Sequence, residues 1–267
     1  MTDCLYVLSK LCYTQNVLCR MLVSYTVTGE RMKQFRWLFI HLSILFSLAL
    51  SVCIALPRGT VPVASFATEP YILIIDAGHG GEDGGAISVS GKRESELNLE
   101  IAQRTADLAS LLGIRTKMVR TSDISIHDAS CLTIAEKKRS DLRNRVKLVN
   151  ETPNGVLLSI HQNHFAEEKY FGTQIFSAAN ETSTSLAKTM QEDFKVLNPK
   201  NHRKSKTAQN VYLFEHVSCT AVLVECGFLS NFAEEQLLRE MDYQKKLAMT
   251  MLRSIATMEE GVTTNEI

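Results

Sequence analysis

From residue 71 onward the chain alternates between short apolar runs and stretches in which apolar side chains recur every three or four positions. Six runs carry the β-type pattern: residues 71–76 (YILIID), 115–120 (RTKMVR), 155–161 (GVLLSIH), 172–178 (GTQIFSA), 211–215 (VYLFE) and 221–226 (AVLVEC). Residues 94–112 set Leu97, Ile101, Leu108, Leu111 and Leu112 on a helical repeat and stop at Gly113, a residue suited to a helix C-terminus. Residues 133–151 repeat the pattern with Ile134, Leu142, Val146 and Val149, and further helices are expected over 182–196 and 242–257. Strands that are apolar almost throughout are buried on both faces and need helices on both sides of their sheet. The β-α-β-α-β order therefore predicts an α/β fold, a single domain with a central, mostly parallel sheet of about six strands flanked by helices on both faces.

A different pattern precedes this. Residues 37–56 (WLFIHLSILFSLALSVCIAL) contain no Asp, Glu, Lys or Arg. A run of that length can cross the ~30 Å of bilayer hydrocarbon. Arg31, Lys33 and Arg36 lie just before it and Arg58 just after, so the preceding end is expected to stay cytoplasmic and everything after residue 57 to be delivered outside. The run reads as a signal anchor or the hydrophobic region of a signal peptide. Ser65 and Ala67 offer small residues for cleavage, but their distance from the run fits an uncleaved anchor equally well. Met32 opens MKQFRWLF, as a secretory N-terminus does, and is expected to be the start, which would leave residues 1–31 of the N-terminal segment 1–36 untranslated. Residues 57–69, with Pro57 and Pro62 and with Pro70 following, form an extended linker. The folded domain is then 70–258, with a tail at 259–267.

Composition narrows the field only by exclusion. The 267 residues are 45% apolar and 22% charged, with a formal net charge of zero, so nothing electrostatic favours a nucleic-acid partner. Outside the first 31 residues and the apolar run, the cysteines are Cys131, Cys219 and Cys226, an odd number without CxxC spacing. A disulfide framework and a thiolate metal site are not indicated, and sequence does not say whether any two of them pair.

The candidate chemistry sits where strands end, which is where α/β sheets build their sites. His79 follows the first strand within GHGGEDGG, a glycine-rich loop that lacks the lysine and the G-x-G-x-x-G spacing of a phosphate loop. Alone, it could equally be a turn histidine bonded to backbone. Glu94 opens the helix at 94–112, three residues before Leu97 and seven before Ile101 on the apolar stripe, whereas Glu96 falls away from it. His161 ends the third strand in LLSIHQNHF, with His164 in the following loop as the competing ligand. Glu225 follows four apolar residues in AVLVECGF, where a carboxylate is costly unless paired or set near a cation. Two imidazoles and a carboxylate leave a fourth position open, as catalytic zinc sites do. A further carboxylate then serves as general base, the makings of metal-assisted amide hydrolysis. No HExxH helix or G-x-S-x-G elbow competes with that reading.

The blocks IDAGHGGEDGGA, ESELNL, TIAEKKRSDLRNRVKLVN, LLSIHQNHF and AVLVECGFLSN, in that order, resemble the zinc-dependent N-acetylmuramoyl-L-alanine amidases of the amidase-3 family over roughly residues 70–258. The resemblance implies one catalytic Zn2+ held by His79, Glu94 and His161, with Glu225 as catalytic base and Arg145 and Asn150 in supporting, structural positions. It implies a peptidoglycan hydrolase that cleaves the amide between N-acetylmuramic acid and L-alanine of the stem peptide. Within the family, TIAEKKRSDLRNRVKLVNET and SIHQNHF are most similar to the germination-specific spore-cortex amidases of endospore formers. In that group the enzyme acts before a muramic acid deacetylase in forming muramic-δ-lactam, and the resemblance implies an accessory protein as a further partner. The expected location is extracytoplasmic, secreted or anchored by the N-terminal segment, in the forespore or cortex space. A zinc-dependent wall endopeptidase or carboxypeptidase, and a catalytically silent wall-binding domain, are the alternatives.

Overall fold

Strand β1 (Ile72–Ala77) is followed by helix α1 (Glu94–Leu111), β2 (Thr116–Met118), α2 (Ile134–Asn150), β3 (Gly155–Asn163), β4 (Gln174–Ser177), α3 (Glu181–Leu197), β5 (Lys206–Thr207), α4 (Tyr212–His216), β6 (Thr220–Phe228), α5 (Phe232–Arg239) and α6 (Met241–Val262). This computed structural model describes residues 37, 39–44 and 71–262. The chain divides into two units, Met1–Ala67 and Thr68–Ile267. In the first, residues 37 and 39–44 are helical. Met32, residues 45–56 of the apolar run and the linker at 57–69 lie outside the described residues. Among the described residues no helix is long and apolar enough to cross a membrane.

The six strands form one sheet in the order β2-β1-β3-β6-β4-β5. Neighbours are parallel except β4 and β6, which pair antiparallel. Alternation along the strands separates two cores. Leu73, Ile75, Leu158, Ile160, Val222 and Val224 face one way, into a large cluster with Leu97 and Ile101 of α1, Met190 and Phe194 of α3, and Met251 and Ile255 of α6. Ile74, Leu157, Ala221 and Leu223 face the other way, against Val149 of α2 and Leu213 and Phe214 of α4. The mostly parallel sheet with helices on both faces is thus the predicted architecture, with the second face much less fully covered.

Several local differences separate the structure from the sequence reading. Residues 211–215, expected as a strand from their Val, Tyr, Leu and Phe content, lie largely in the short helix α4. Its adjacent Leu213 and Phe214 are both buried, which a strand with one face covered would not allow but one turn of helix over the sheet does. The sheet edge is formed instead by β5, a two-residue strand with no apolar signature. In α2 the buried positions are Ser140, Asp141, Arg145 and Val149, whereas Ile134 is exposed and Leu142 and Val146 are only half-buried. Likewise Leu111 and Leu112, expected on the buried stripe of α1, are exposed. Helix α5 was not anticipated; it is short, and Glu234 and Glu235 are among its buried residues.

Capping fixes several helix starts, those of α2 and α3 close to the predicted places. Thr133 and Glu136 form a reciprocal capping box at α2, and the Asn180 and Asn231 side chains accept from Ser183 N and Glu234 N at α3 and α5. Packing supplies the rest. Phe194 is among the largest fully buried side chains. Its replacement by alanine is expected to cost about 3–5 kcal/mol in urea unfolding at unchanged m-value; a loss under 1 kcal/mol would mean that α3 does not close this core.

Candidate active site

The site is built at the carboxyl ends of β1, β3 and β6. Strand β1 ends at Ala77, and His79 then takes a left-handed backbone with φ of 60°. For a non-glycine residue that conformation is uncommon and must be held by its surroundings. Two buried arginines hold it. Arg120 donates through Nε to the Ala77 carbonyl at 2.9 Å and through its Nη2 to the carbonyls of Gly78 (3.0 Å) and Ser95 (2.7 Å). Arg145 donates to the carbonyls of Ala77 (3.0 Å) and His79 (2.7 Å). Three successive carbonyls, 77 to 79, are thus fixed by guanidinium groups from the loop after β2 and from α2.

Arg145 is itself anchored by two carboxylates. It pairs with Asp76 and donates through Nε to Asp141 Oδ2 at 2.6 Å, and Asp76 also accepts from Ser159 Oγ at 2.7 Å. Burial would raise the Asp76 carboxyl, but the Arg145 charge and the Ser159 hydroxyl hold it below its usual range. The buried polar stripe of α2 is the means by which that helix grips the loop. Asn150, also expected in a structural position, lies at the end of α2, donating to His216 O at 2.9 Å and accepting from Ser218 N at 3.1 Å, so its bonding ties α2 to the segment before β6.

Glu94 is the first residue of α1, where the helix dipole favours an acid, and it is almost fully buried. Oε1 accepts from Gln162 N at 3.1 Å and Asn98 Nδ2 at 3.3 Å, and lies 3.1 Å from His161 Nδ1. Oε2 accepts from Ala86 N at 2.9 Å and lies 3.3 Å from His79 Nε2. One ligand atom from each of His79, Glu94 and His161 lies within 4.8 Å of the others. The imidazole rings meet edge-on, with centroids 5.0 Å apart and planes at 76°. Glu96 is half-buried and His164 exposed, and neither belongs to this group. The structure therefore brings together three residues read from the sequence and leaves out both rivals.

The crowding explains two glycines. A Cβ on Gly78 would sit 2.2 Å from the His161 ring. On Gly85, whose φ is 66°, it would sit 2.5 Å from Glu94 Oε2 and 2.7 Å from the His79 ring. Neither position has room for any side chain.

Charge completes the picture. Burial pushes the His79 imidazole down, but the Asp83 and Glu94 carboxylates outweigh it and hold the ring's pKa up at about 9. Burial likewise opposes ionisation of Glu94, yet His161 and His79 keep its carboxyl far below the usual range. The donor set thus calls for a positive charge at its centre, and without another cation His79 must retain a proton to supply it. Two imidazole nitrogens and a carboxylate oxygen, at this spacing and with this demand for charge, suit a divalent metal that displaces that proton. Asp83 Oδ2, 3.2 Å from His79 Nδ1, would hold the ring with Nε2 turned toward the centre.

Glu225 is the register partner of His161 across β3 and β6, so both side chains leave the same face of the sheet. Burial pushes its carboxyl up to about 7, opposed by His161 and reinforced by Glu94. Its Oε2 is buried without a hydrogen-bond partner. His79, His161 and Glu225 line one cavity of about 240 Å³, walled on the far side by Leu142 and Lys138 of α2 and by Tyr212 of α4. The thin cover on this face of the sheet is what leaves the cavity open.

Sequence reasoning missed Asp83, Asn98, Arg120 and Gln162. Asp83 lies four residues after His79 within the quoted loop, a spacing that could have singled it out. Arg120 ends a predicted strand as an isolated cation, but its partners are backbone carbonyls, which leave no mark in a sequence. Cys131, Cys219 and Cys226 are all free thiols.

The N-acetylmuramoyl-L-alanine amidase family matches residues 73–257, and the chain belongs to it, as a hydrolase of the amide bonds of peptidoglycan. The germination-specific N-acetylmuramoyl-L-alanine amidase of Bacillus subtilis is 34% identical over 233 residues, covering 84% of this chain and 94% of that protein. Among solved structures, the CwlD amidase from Clostridioides difficile in complex with the GerS lipoprotein superposes with a TM-score of 0.68 at 32% identity, over 71% of this chain and 98% of that one. An N-acetylmuramoyl-L-alanine amidase from Clostridium difficile 630 gives a TM-score of 0.62 at 27% identity, over 72% and 98%.

Two outcomes follow from this geometry. Gly85→Ala should keep its circular dichroism spectrum but bind a divalent metal about 10–100-fold more weakly in a titration, and unchanged affinity would contradict the close packing of Glu94 and His79. For Glu225, the folded-state pKa is about 7 against an ordinary 4.5, so its contribution to stability is full below pH 4.5 and lost as pH rises through about 7. Glutamine does not titrate. In chelator, Glu225→Gln should therefore gain on the parent between pH 5 and 8, by on the order of 2–3 kcal/mol, and a pH-independent difference in Tm would contradict the burial of that charge.

Proposed function

We propose that the protein is a zinc-dependent N-acetylmuramoyl-L-alanine amidase in which His79, Glu94 and His161 hold one Zn2+ and Glu225 is the catalytic base. The observation that carries this reading is the juxtaposition of three ligand atoms within 4.8 Å with an unpartnered, buried carboxyl on the neighbouring strand. Bound there, zinc would acidify a water and polarise the amide carbonyl. The protein's own groups do the rest. The Glu225 carboxylate takes the proton of the attacking water and delivers it to the alanine nitrogen as the amide breaks. Burial raises this carboxyl, and a bound zinc would pull it back down, so the two oppose each other at the group that must both take and give the proton. Asp83 keeps the His79 ring oriented, and Arg120 and Arg145 keep its backbone in the left-handed conformation.

The substrate is peptidoglycan, cut between the muramic acid lactyl group and L-alanine. The similarity to a germination-specific relative supports a role in the spore cortex, in forming muramic-δ-lactam ahead of a deacetylase. A wall substrate requires an extracytoplasmic location. Residues 37–56 would deliver the catalytic domain, residues 70–258, across the membrane, with Met32 as the start. The solved complex of CwlD with a lipoprotein supports an accessory partner here as well.

Glu225→Gln should retain one zinc per chain by elemental analysis while hydrolysis of purified peptidoglycan falls by about 10²–10⁴-fold. Near-normal turnover would refute Glu225 as the base. Mass spectrometry of the parent enzyme's digest should show free peptides beginning with L-alanine. Shortened stem peptides still attached to muramic acid would indicate an endopeptidase or carboxypeptidase instead.

A further inference from the structure

The cavity beside the candidate zinc site has one cation with donors to spare. Of its basic side chains, Arg145 is buried and spends its donors on Asp76, Asp141 and the carbonyls of Ala77 and His79. Lys138, from α2, is different. Its side chain is 54% exposed, and its recorded partner among the described residues is Asp83 Oδ2 at 3.1 Å. An ammonium group carries three donors, so one contact to Asp83 leaves two for a ligand. Neighbouring Lys137 is turned away to Glu82, at 2.6 Å. Of the acids lining the cavity, Asp76 and Asp141 are matched by Arg145 and Asp83 by His79 and Lys138, while Glu225, on β6, is the one without a cation paired to it among the described residues.

Position adds to this. Asp83 Oδ2 contacts both His79 Nδ1, at 3.2 Å, and Lys138 Nζ, at 3.1 Å. The ammonium therefore lies at most the sum of those contacts, about 6 Å, from a ring whose other nitrogen faces Glu94. A peptide advances ~3.3–3.6 Å per residue, so an amide carbonyl held at the ligand triangle places groups one to two residues further on within reach of Lys138. In a stem peptide, the residue after L-alanine is linked through its side-chain carboxyl and carries a free α-carboxylate, or a carboxamide where that group is amidated.

We propose that Lys138 is a specificity-determining residue that binds the α-carboxylate of the second stem residue, so that the enzyme prefers the free acid over the amidated peptide. The stem then runs from the ligand triangle along the groove between α2 and α4, over Leu142 and Tyr212. A carboxamide offers the ammonium a neutral acceptor and forfeits the charge. This rests on the amidase reading above, because the spacing is counted from a scissile amide at His79, Glu94 and His161.

The test compares two disaccharide tripeptides, one with D-isoglutamate and one with D-isoglutamine in second place, on the zinc-loaded enzyme. The parent should favour the acid by about 5–20-fold in kcat/KM, and the preference should shrink as salt rises from 50 to 500 mM, as a half-exposed ion pair requires. Lys138→Gln should bring the ratio close to 1, and Lys138→Arg should keep most of it. A loss of rate shared by both substrates, from a disturbed Asp83, cancels in that ratio. A parent enzyme without preference, or a Lys138→Gln variant that keeps it, overturns the assignment while leaving the amidase reading intact. Failure of the zinc-loaded parent to release peptide from either substrate would overturn both.

Discussion

Glu94 is the constraint around which the site is arranged. One buried carboxylate at the start of α1 has both oxygens engaged, reaching His79 and Ala86 with one and His161, Gln162 and Asn98 with the other. It therefore ties together the loop after β1, the end of β3 and the first turn of a helix. A buried charge of this kind is tolerable only when fully paired. The pairing here is with two imidazoles, which a metal can also engage. Under the proposed metal site the same carboxylate would become a ligand, and folding and metal binding would then be linked through a single side chain.

A second layer keeps that arrangement in place. Arg120 and Arg145 are buried cations whose donors point at backbone carbonyls as well as at carboxylates. Planar guanidinium groups suit such multiple acceptors, and lysine at either position would satisfy fewer of them. Together they hold residues 77–79 in a conformation that the glycine-rich loop would not adopt by itself. The glycines supply room rather than looseness. Gly78 lets the His161 ring lie against the chain, and Gly85 lets Glu94 and His79 meet.

The legibility of this protein from its sequence divides along physical lines. Apolar periodicity exposed β1, β3, β6 and the helices α1, α3 and α6, because their burial demands it. It failed at 211–215, where β-type residues form a turn of helix over the sheet, and it located α2 but not its buried face, which is Ser140, Asp141 and Arg145 together with Val149. His79, Glu94, His161 and Glu225 stood out because polar residues at the ends of apolar strands, or on an apolar stripe, contradict their surroundings. Arg120 and Asn98 did not, since their partners include main-chain carbonyls, and any sequence provides those. Lys138 was invisible for another reason: a lysine in KKRSDLRNR looks like any solvated helix face until the fold sets it beside Asp83.

Where the metal sits is the decisive point. Crystals of the zinc-loaded protein, with anomalous diffraction recorded on both sides of the zinc absorption edge, test this directly. The account predicts a single peak within about 2.0–2.2 Å of nitrogen atoms of His79 and His161 and an oxygen of Glu94, with the Glu225 carboxyl facing the open position. A peak coordinated by His164 or Glu96, or none at the triangle at full zinc occupancy, would contradict it.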